Sequence, residues 1–105
     1  MSEVFIFGAG KVGTGLARAL RAAGDDVTLR GQRKGLPKRR IEADLVIVAV
    51  RDGDIAGVAE ALVSRGLVGH RKVAVVHCAG ALGPEALAAA RGPSVAVAQM
   101  HPMIS

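Results

Sequence analysis

Six residues near the amino terminus, Gly8-Ala9-Gly10-Lys11-Val12-Gly13, carry the spacing G-x-G-x-x-G. When a strand precedes such a run and a helix follows, each glycine has its own task. The first permits a tight turn. The second has no Cβ, so backbone can approach a pyrophosphate. The third lets the helix pack close on the strand. The helix start adds free N–H groups and a positive dipole end. The expected chemistry is capture of a dinucleotide's diphosphate by backbone groups.

A second group, Arg30-Gly31-Gln32-Arg33-Lys34, follows at the distance where a dinucleotide's ribose would be read. Sites for NAD carry Asp or Glu about 20 residues on from the glycine run, where it binds the ribose 2′-OH. No acidic residue occurs from Val27 to Ile41. A guanidinium grips a 2′-phosphate bidentately, and a neighbouring lysine adds point charge. NADP is therefore the expected cofactor, with NAD as the alternative. The same basic segment admits a nucleic-acid reading. Single-strand binders add stacking aromatics, however, and Phe5 and Phe7 are the only aromatic residues here. No recognised nucleic-acid motif is present, so no nucleic-acid partner is expected.

Three further sets of residues fall at strand ends. Ala49-Val50-Arg51 closes the longest apolar run and is expected to line the cofactor cleft. Asp52, just beyond, reads equally as a cleft residue or, with Asp54, as a cap for the helix that follows. His77 and Cys78 end another strand at the carboxyl edge, where ligands bind in open α/β sheets. Neighbours on a strand point to opposite faces, so these two should not activate one another. Cys78 then reads as a small, buried, apolar residue. His101 follows the last strand and is the candidate general acid or base; held by Pro102, it reads equally well as a turn residue. One Cys and three His without ligand spacing make no zinc site, so no metal is expected.

The elements that must position these groups are legible from hydrophobic period. Val4–Phe7 and Leu45–Val50 are short apolar runs, as in strands buried on both faces, and Val27–Arg30, Val73–His77 and Val95–Ala98 read as three further strands. Val12, Leu16, Ala19, Leu20 and Ala23 recur at helical spacing before Gly24. Ile55, Val58, Ala59, Leu62 and Val63 form a second helical face before Gly66. Gly83-Pro84-Glu85 opens a third helix that stops near Gly92-Pro93. Residues 31–44 are too few for both a helix and a strand, so one outer strand of the usual dinucleotide-binding sheet should be missing. The predicted fold is α/β: a Rossmann-like parallel sheet of five strands in the order 2-1-3-4-5, with helices on both faces.

The chain has 105 residues, enough for one dinucleotide-binding domain over 1–105. Half of the residues are apolar and the net charge is +5, so an aliphatic core is affordable and disorder is not expected. A lone cysteine fits a reducing compartment. The start Met1-Ser2-Glu3 lacks the features of a secretory signal, and no apolar run is long enough to span a bilayer. A cytoplasmic protein without a membrane partner is expected.

Several of these segments together resemble a known group. The strand-turn-helix start, Ala49-Val50-Arg51-Asp52 and His77-Cys78-Ala79-Gly80-Ala81-Leu82-Gly83 are similar to the Rossmann-like relatives of pyrroline-5-carboxylate reductase and deazaflavin-dependent NADP reductases. In particular, the chain resembles a family whose Rossmann domain precedes an all-helical domain of unknown function. That family carries a His-Cys-Ser-Gly-Ala-Leu segment, here with Ala79 for serine, and a His-Pro pair after the last strand, here His101-Pro102. The resemblance covers nearly the whole chain. It implies an NADP-dependent oxidoreductase acting on CH–NH or CH–OH groups of an unidentified small substrate. It further implies that a helical domain completes the substrate site and usually a homo-oligomer. The expectation for residues 1–105 is the cofactor-binding part without that domain; a non-catalytic NADP-sensing module is the alternative. His101-Pro102-Met103 also resembles a segment of prephenate dehydrogenases, but the Asp-x-x-Ser-x-Lys segment that accompanies it there has no counterpart here.

Overall fold

The structure, a computed structural model, describes residues 2–100. Five strands run in parallel: β1 (Glu3–Phe7), β2 (Asp26–Arg30), β3 (Leu45–Val48), β4 (Val73–His77) and β5 (Val95–Gln99). They form one sheet in the order β2-β1-β3-β4-β5, the order the sequence predicts. Alternate residues of the apolar runs serve opposite faces. Val4 and Ile6 join one core cluster, and Phe5 and Phe7 the other. That double burial is why β1, β3 and β4 read as continuous apolar stretches. The edge strands β2 and β5 instead alternate, with Thr28, Ala96 and Ala98 exposed, because no strand covers their outer side.

Two α-helices connect the strands, α1 (Lys11–Ala22) between β1 and β2, and α2 (Ile55–Ser64) between β3 and β4. They lie on opposite faces. Leu16 and Ala17 of α1 pack with Val4, Ile6, Val27, Ile47 and Val76. Ile55, Val58, Ala59 and Leu62 of α2 share the other cluster with Phe5, Phe7, Val46, Val48 and Val75. The architecture is compatible with a Rossmann-like fold.

The inward stripe of α1 differs from the one expected. Ala19 and Ala23 are exposed, and Gly13, Leu16 and Ala17 are buried, with Val12 and Leu20 at the margin. The cause is Gly13, whose Cα lies directly against the Gly8 carbonyl. That contact fixes the rotation of the helix about its axis. In α2, Val63 is 46% exposed rather than part of the apolar face, because one step past Leu62 turns it away from the sheet. Gly24 ends α1 as expected. It has φ +95°, its N–H bonds the Arg21 carbonyl, and the Asp25 N–H bonds the Leu20 carbonyl, which is a Schellman cap.

Two connections depart further from expectation. The link from β4 to β5 is a 3-10 helix, Pro84–Ala90, and not an α-helix. It spans only seven residues between two Gly-Pro/Gly-x boundaries, and its inward residues Leu87 and Ala90 are three apart, the spacing that aligns in a 3-10 helix. The segment 31–44 contains no helix-plus-strand, as expected, and opens with a 3-10 turn at Gln32–Lys34. It is more than a solvated basic loop, however. Leu36, Ile41 and Ala43 are buried in the cluster that holds Phe5 and Phe7. The Ile41 N–H donates to the Leu67 carbonyl over 2.8 Å, tying the segment to the end of α2. Three apolar anchors thus do the covering that a helix would otherwise do. No helix among the described residues is long and apolar enough to cross a membrane.

Candidate functional site

The reversal of strand order at β1 sets the place of the site. From β1 the chain goes one way, through α1 to β2, and β3 lies on β1's other side. The loops leaving β1 and β3 at the carboxyl edge therefore diverge and leave a crevice between them, the usual ligand position in open α/β sheets. Here the crevice is a cavity of about 450 Å³ lined by Gly8, Ala9, Gly10, Gly31, Gln32, Arg33, Lys34, Ala49, Val50 and Arg51. These are residues singled out from sequence, brought together from three separate segments. Lys11, Val12 and Gly13 continue from the same turn into α1. Lys11 is exposed at the helix start, whereas Val12 and Gly13 face the sheet and help build the turn.

The glycine turn is welded to both neighbours of β1. The Gly8 N–H donates to the Arg30 carbonyl and the Ala49 N–H to the Phe7 carbonyl, each over 2.8 Å. A Cβ on Gly8 would strike the Ala49 carbonyl, and one on Gly13 would strike the Gly8 carbonyl. Gly10 is different: a Cβ there would meet nothing within 4 Å. The first and third glycines are thus required by the chain itself, and the second faces open space in the cleft. Gly10 is also the N-cap of α1. It has no side chain to cap with, and the first turn of the helix holds no acidic residue. The amide groups and the dipole of α1 are left facing the cleft.

The basic rim divides its labour. Arg30 donates from Nε to the Gly35 carbonyl over 2.6 Å and from Nη2 to the Lys34 carbonyl over 3.2 Å. It braces the Gln32–Lys34 turn. Arg33 and Lys34 are exposed at the lip and enter no salt bridge among the described residues. A Cβ on Gly31 would lie 3.7 Å from Ala9 Cβ, an ordinary contact, so the basic turn stands beside the glycine run. Arg51 projects from the opposite lip, ahead of a 3-10 turn at Asp52–Asp54. Neither Asp52 nor Asp54 caps a helix with its side chain, contrary to the expectation from sequence. The Asp54 carboxylate instead accepts a 3.0 Å bond from the Gln32 amide beside the cleft. Sequence reading missed this link. The two residues are far apart in the chain, and an aspartate before a helix already has an ordinary explanation.

His77 is fully buried, and both ring nitrogens are occupied by backbone. Nδ1 accepts the Ala79 N–H over 3.0 Å, which puts the ring proton on Nε2, 2.8 Å from the Gly83 carbonyl. The Gln99 amide adds a 2.8 Å bond to the Ala79 carbonyl. His77 therefore shapes the turn 78–83 at the sheet edge and has no nitrogen left for a ligand. Cys78 packs on the α1 side of the sheet, with the cluster of Val76 and Ile47, away from the His77 ring. Burial pushes the Cys78 thiol above its ordinary pKa. Thiolate is the reactive form, so Cys78 should react with a disulfide reagent more slowly than a free thiol at pH 8. Its rate profile should be displaced to higher pH, which a stopped-flow titration from pH 7 to 10 would read.

A broader concavity, about 800 Å³, is elsewhere. It lies at the amino edge, among Asp44, Lys72, Arg91, Pro93 and Ser94. It is a shallow groove onto which no helix start converges, so the smaller cleft is the better ligand site. Among the described residues no three His, Cys, Asp or Glu are grouped to hold a metal ion. His101 lies outside the described residues. In comparisons with known proteins, no family model, no curated protein and no solved structure matches this chain.

Proposed function

We propose that this chain binds NADP, as the dinucleotide-binding part of an oxidoreductase. The observation that carries the reading is the open cradle at Gly10, set at the start of α1 with Arg33 and Lys34 on the adjoining lip. The residues present fit the cofactor. Backbone N–H groups of the glycine turn and α1 would hold the pyrophosphate. Arg33 would take the 2′-phosphate through paired N–H groups, with Lys34 and Arg51 adding charge and Arg30 keeping the turn in shape. Ala49 and Val50 would form the apolar floor. When bound, the cofactor supplies a hydride donor or acceptor; the chain supplies binding, orientation and a positive field. His101, as a general acid or base, and a substrate of the CH–NH or CH–OH class belong to the same proposal.

Hydrogen bonds to charged groups contribute about 1.5–3 kcal/mol each. A single Arg33 contact to the 2′-phosphate therefore predicts roughly a tenfold to hundredfold preference for NADP over NAD at low salt. Part of that preference should fade as salt rises, because the lip is exposed. Calorimetric titration of the wild type and Arg33→Ala with both cofactors tests this. Arg33→Ala should weaken NADP at least tenfold and NAD little. Absence of binding by either cofactor would overturn the reading.

A further inference from the structure

Gln32 lines the cleft, and its amide reaches Asp54, which stands beyond Arg51 on the α2 side, beside Gly53, Gly57 and Val58 in a neighbouring concavity. Asp54 occupies the N-cap position of α2, where an aspartate ordinarily accepts a bond from the first turn of its helix. Here the carboxylate makes no capping bond and reaches across to Gln32. Gln32 belongs to the turn that carries Arg33 and Lys34. Among the described residues, the carboxylate bonded to the basic turn thus comes from the connection after β3, while the end of β2 has none.

We propose that Asp54 is a specificity-determining residue for the cofactor, opposing a 2′-phosphate through its charge while its bond to Gln32 holds the basic turn in place. This rests on the dinucleotide reading above. Asp54 has two effects of different kind. Its bond to Gln32 tethers the basic turn over the cleft, which favours NADP and NAD alike. Its negative charge opposes a 2′-phosphate but is indifferent to a 2′-hydroxyl. A carboxylate at the end of β2 would itself bond the ribose; that of Asp54 is already taken by an amide and acts by charge. Asp54 therefore lowers the preference for NADP that Arg33 and Lys34 would set alone.

The two effects separate experimentally. Asp54→Asn keeps an oxygen to accept the Gln32 amide and removes the charge. Gln32→Ala removes the tether and keeps the charge. Both are exposed positions, and thermal melts of each variant confirm that it folds. In calorimetric titrations at low salt, Asp54→Asn should tighten NADP about threefold to tenfold, the size of a solvent-screened charge interaction. It should leave NAD within about twofold on the same reasoning. Gln32→Ala should weaken both cofactors to a similar degree. Asp54→Asn that changes both affinities equally, or neither, overturns the proposal even where the wild type binds NADP well. A wild type that binds neither cofactor overturns instead the dinucleotide reading on which it rests.

Discussion

Gly13→Ala is expected to destabilise the chain by about 2–4 kcal/mol, among the larger effects of a single methyl group. The added Cβ would overlap the Gly8 carbonyl, a backbone atom that cannot rotate away. Relief requires α1 to lift from the sheet, which pulls Leu16 and Ala17 out of contact with Ile6 and Ile47. Gly10→Ala is the matched control. Its backbone is extended, with φ −75°, a conformation open to alanine, and the Cβ would meet nothing. Alanine is a poorer N-cap than glycine, so a cost of about 1 kcal/mol or less is expected. Its effect should fall on the ligand: NADP affinity should drop at least tenfold, in line with a methyl group occupying the diphosphate cradle. Urea denaturation and calorimetry on the two variants give the test. Equal stability losses would mean that the turn is less tightly packed than described.

His77→Leu is expected to cost about 2–4 kcal/mol without touching any ligand group. Leucine keeps the apolar volume but strands the buried Ala79 N–H and the part-buried Gly83 carbonyl. His77→Asn should recover part of the loss, because its side-chain oxygen can take the place of Nδ1 toward Ala79. Hydrogen exchange at the Ala79 amide gives a local readout: fast in the leucine variant, slower in the asparagine variant. A leucine variant as stable as wild type would show that water reaches the turn and satisfies both groups.

Hydrophobic period carried most of the fold. Runs such as Val4–Phe7 have no polar face, which demands burial on both sides and hence a parallel sheet. The shortness of residues 31–44 then removed one strand from consideration and fixed the order β2-β1-β3-β4-β5. What stayed illegible was tertiary. Leu36 and Ile41 lie in a stretch whose charge masks their role as core anchors. The rotation of α1 depends on how closely Gly13 meets Gly8, a contact between backbones that leaves no periodic trace. The strand ending at Val48 rather than Val50 follows from the same turn, since Ala49 must meet both Gly8 and the Phe7 carbonyl. Of the site, the glycine run and basic turn were visible because they are local. The Gln32–Asp54 bond and the engagement of both His77 nitrogens were not, because each depends on where a distant loop returns.

The central position of β1 also has a kinetic side. Val4 pairs with Leu45, 41 residues along the chain, whereas Val73 pairs with Val95, only 22 residues along. Loop-closure entropy makes the longer join costlier by about 0.5 kcal/mol, before any contact rewards it. The β1-β2 pair and the β3-β4-β5 half can therefore each close over shorter loops, and the β1–β3 seam that joins them closes late. The cleft lies at the carboxyl end of that seam. A molecule seated there meets a surface that exists only once folding is nearly complete, so it should leave the folding rate almost untouched and slow unfolding instead.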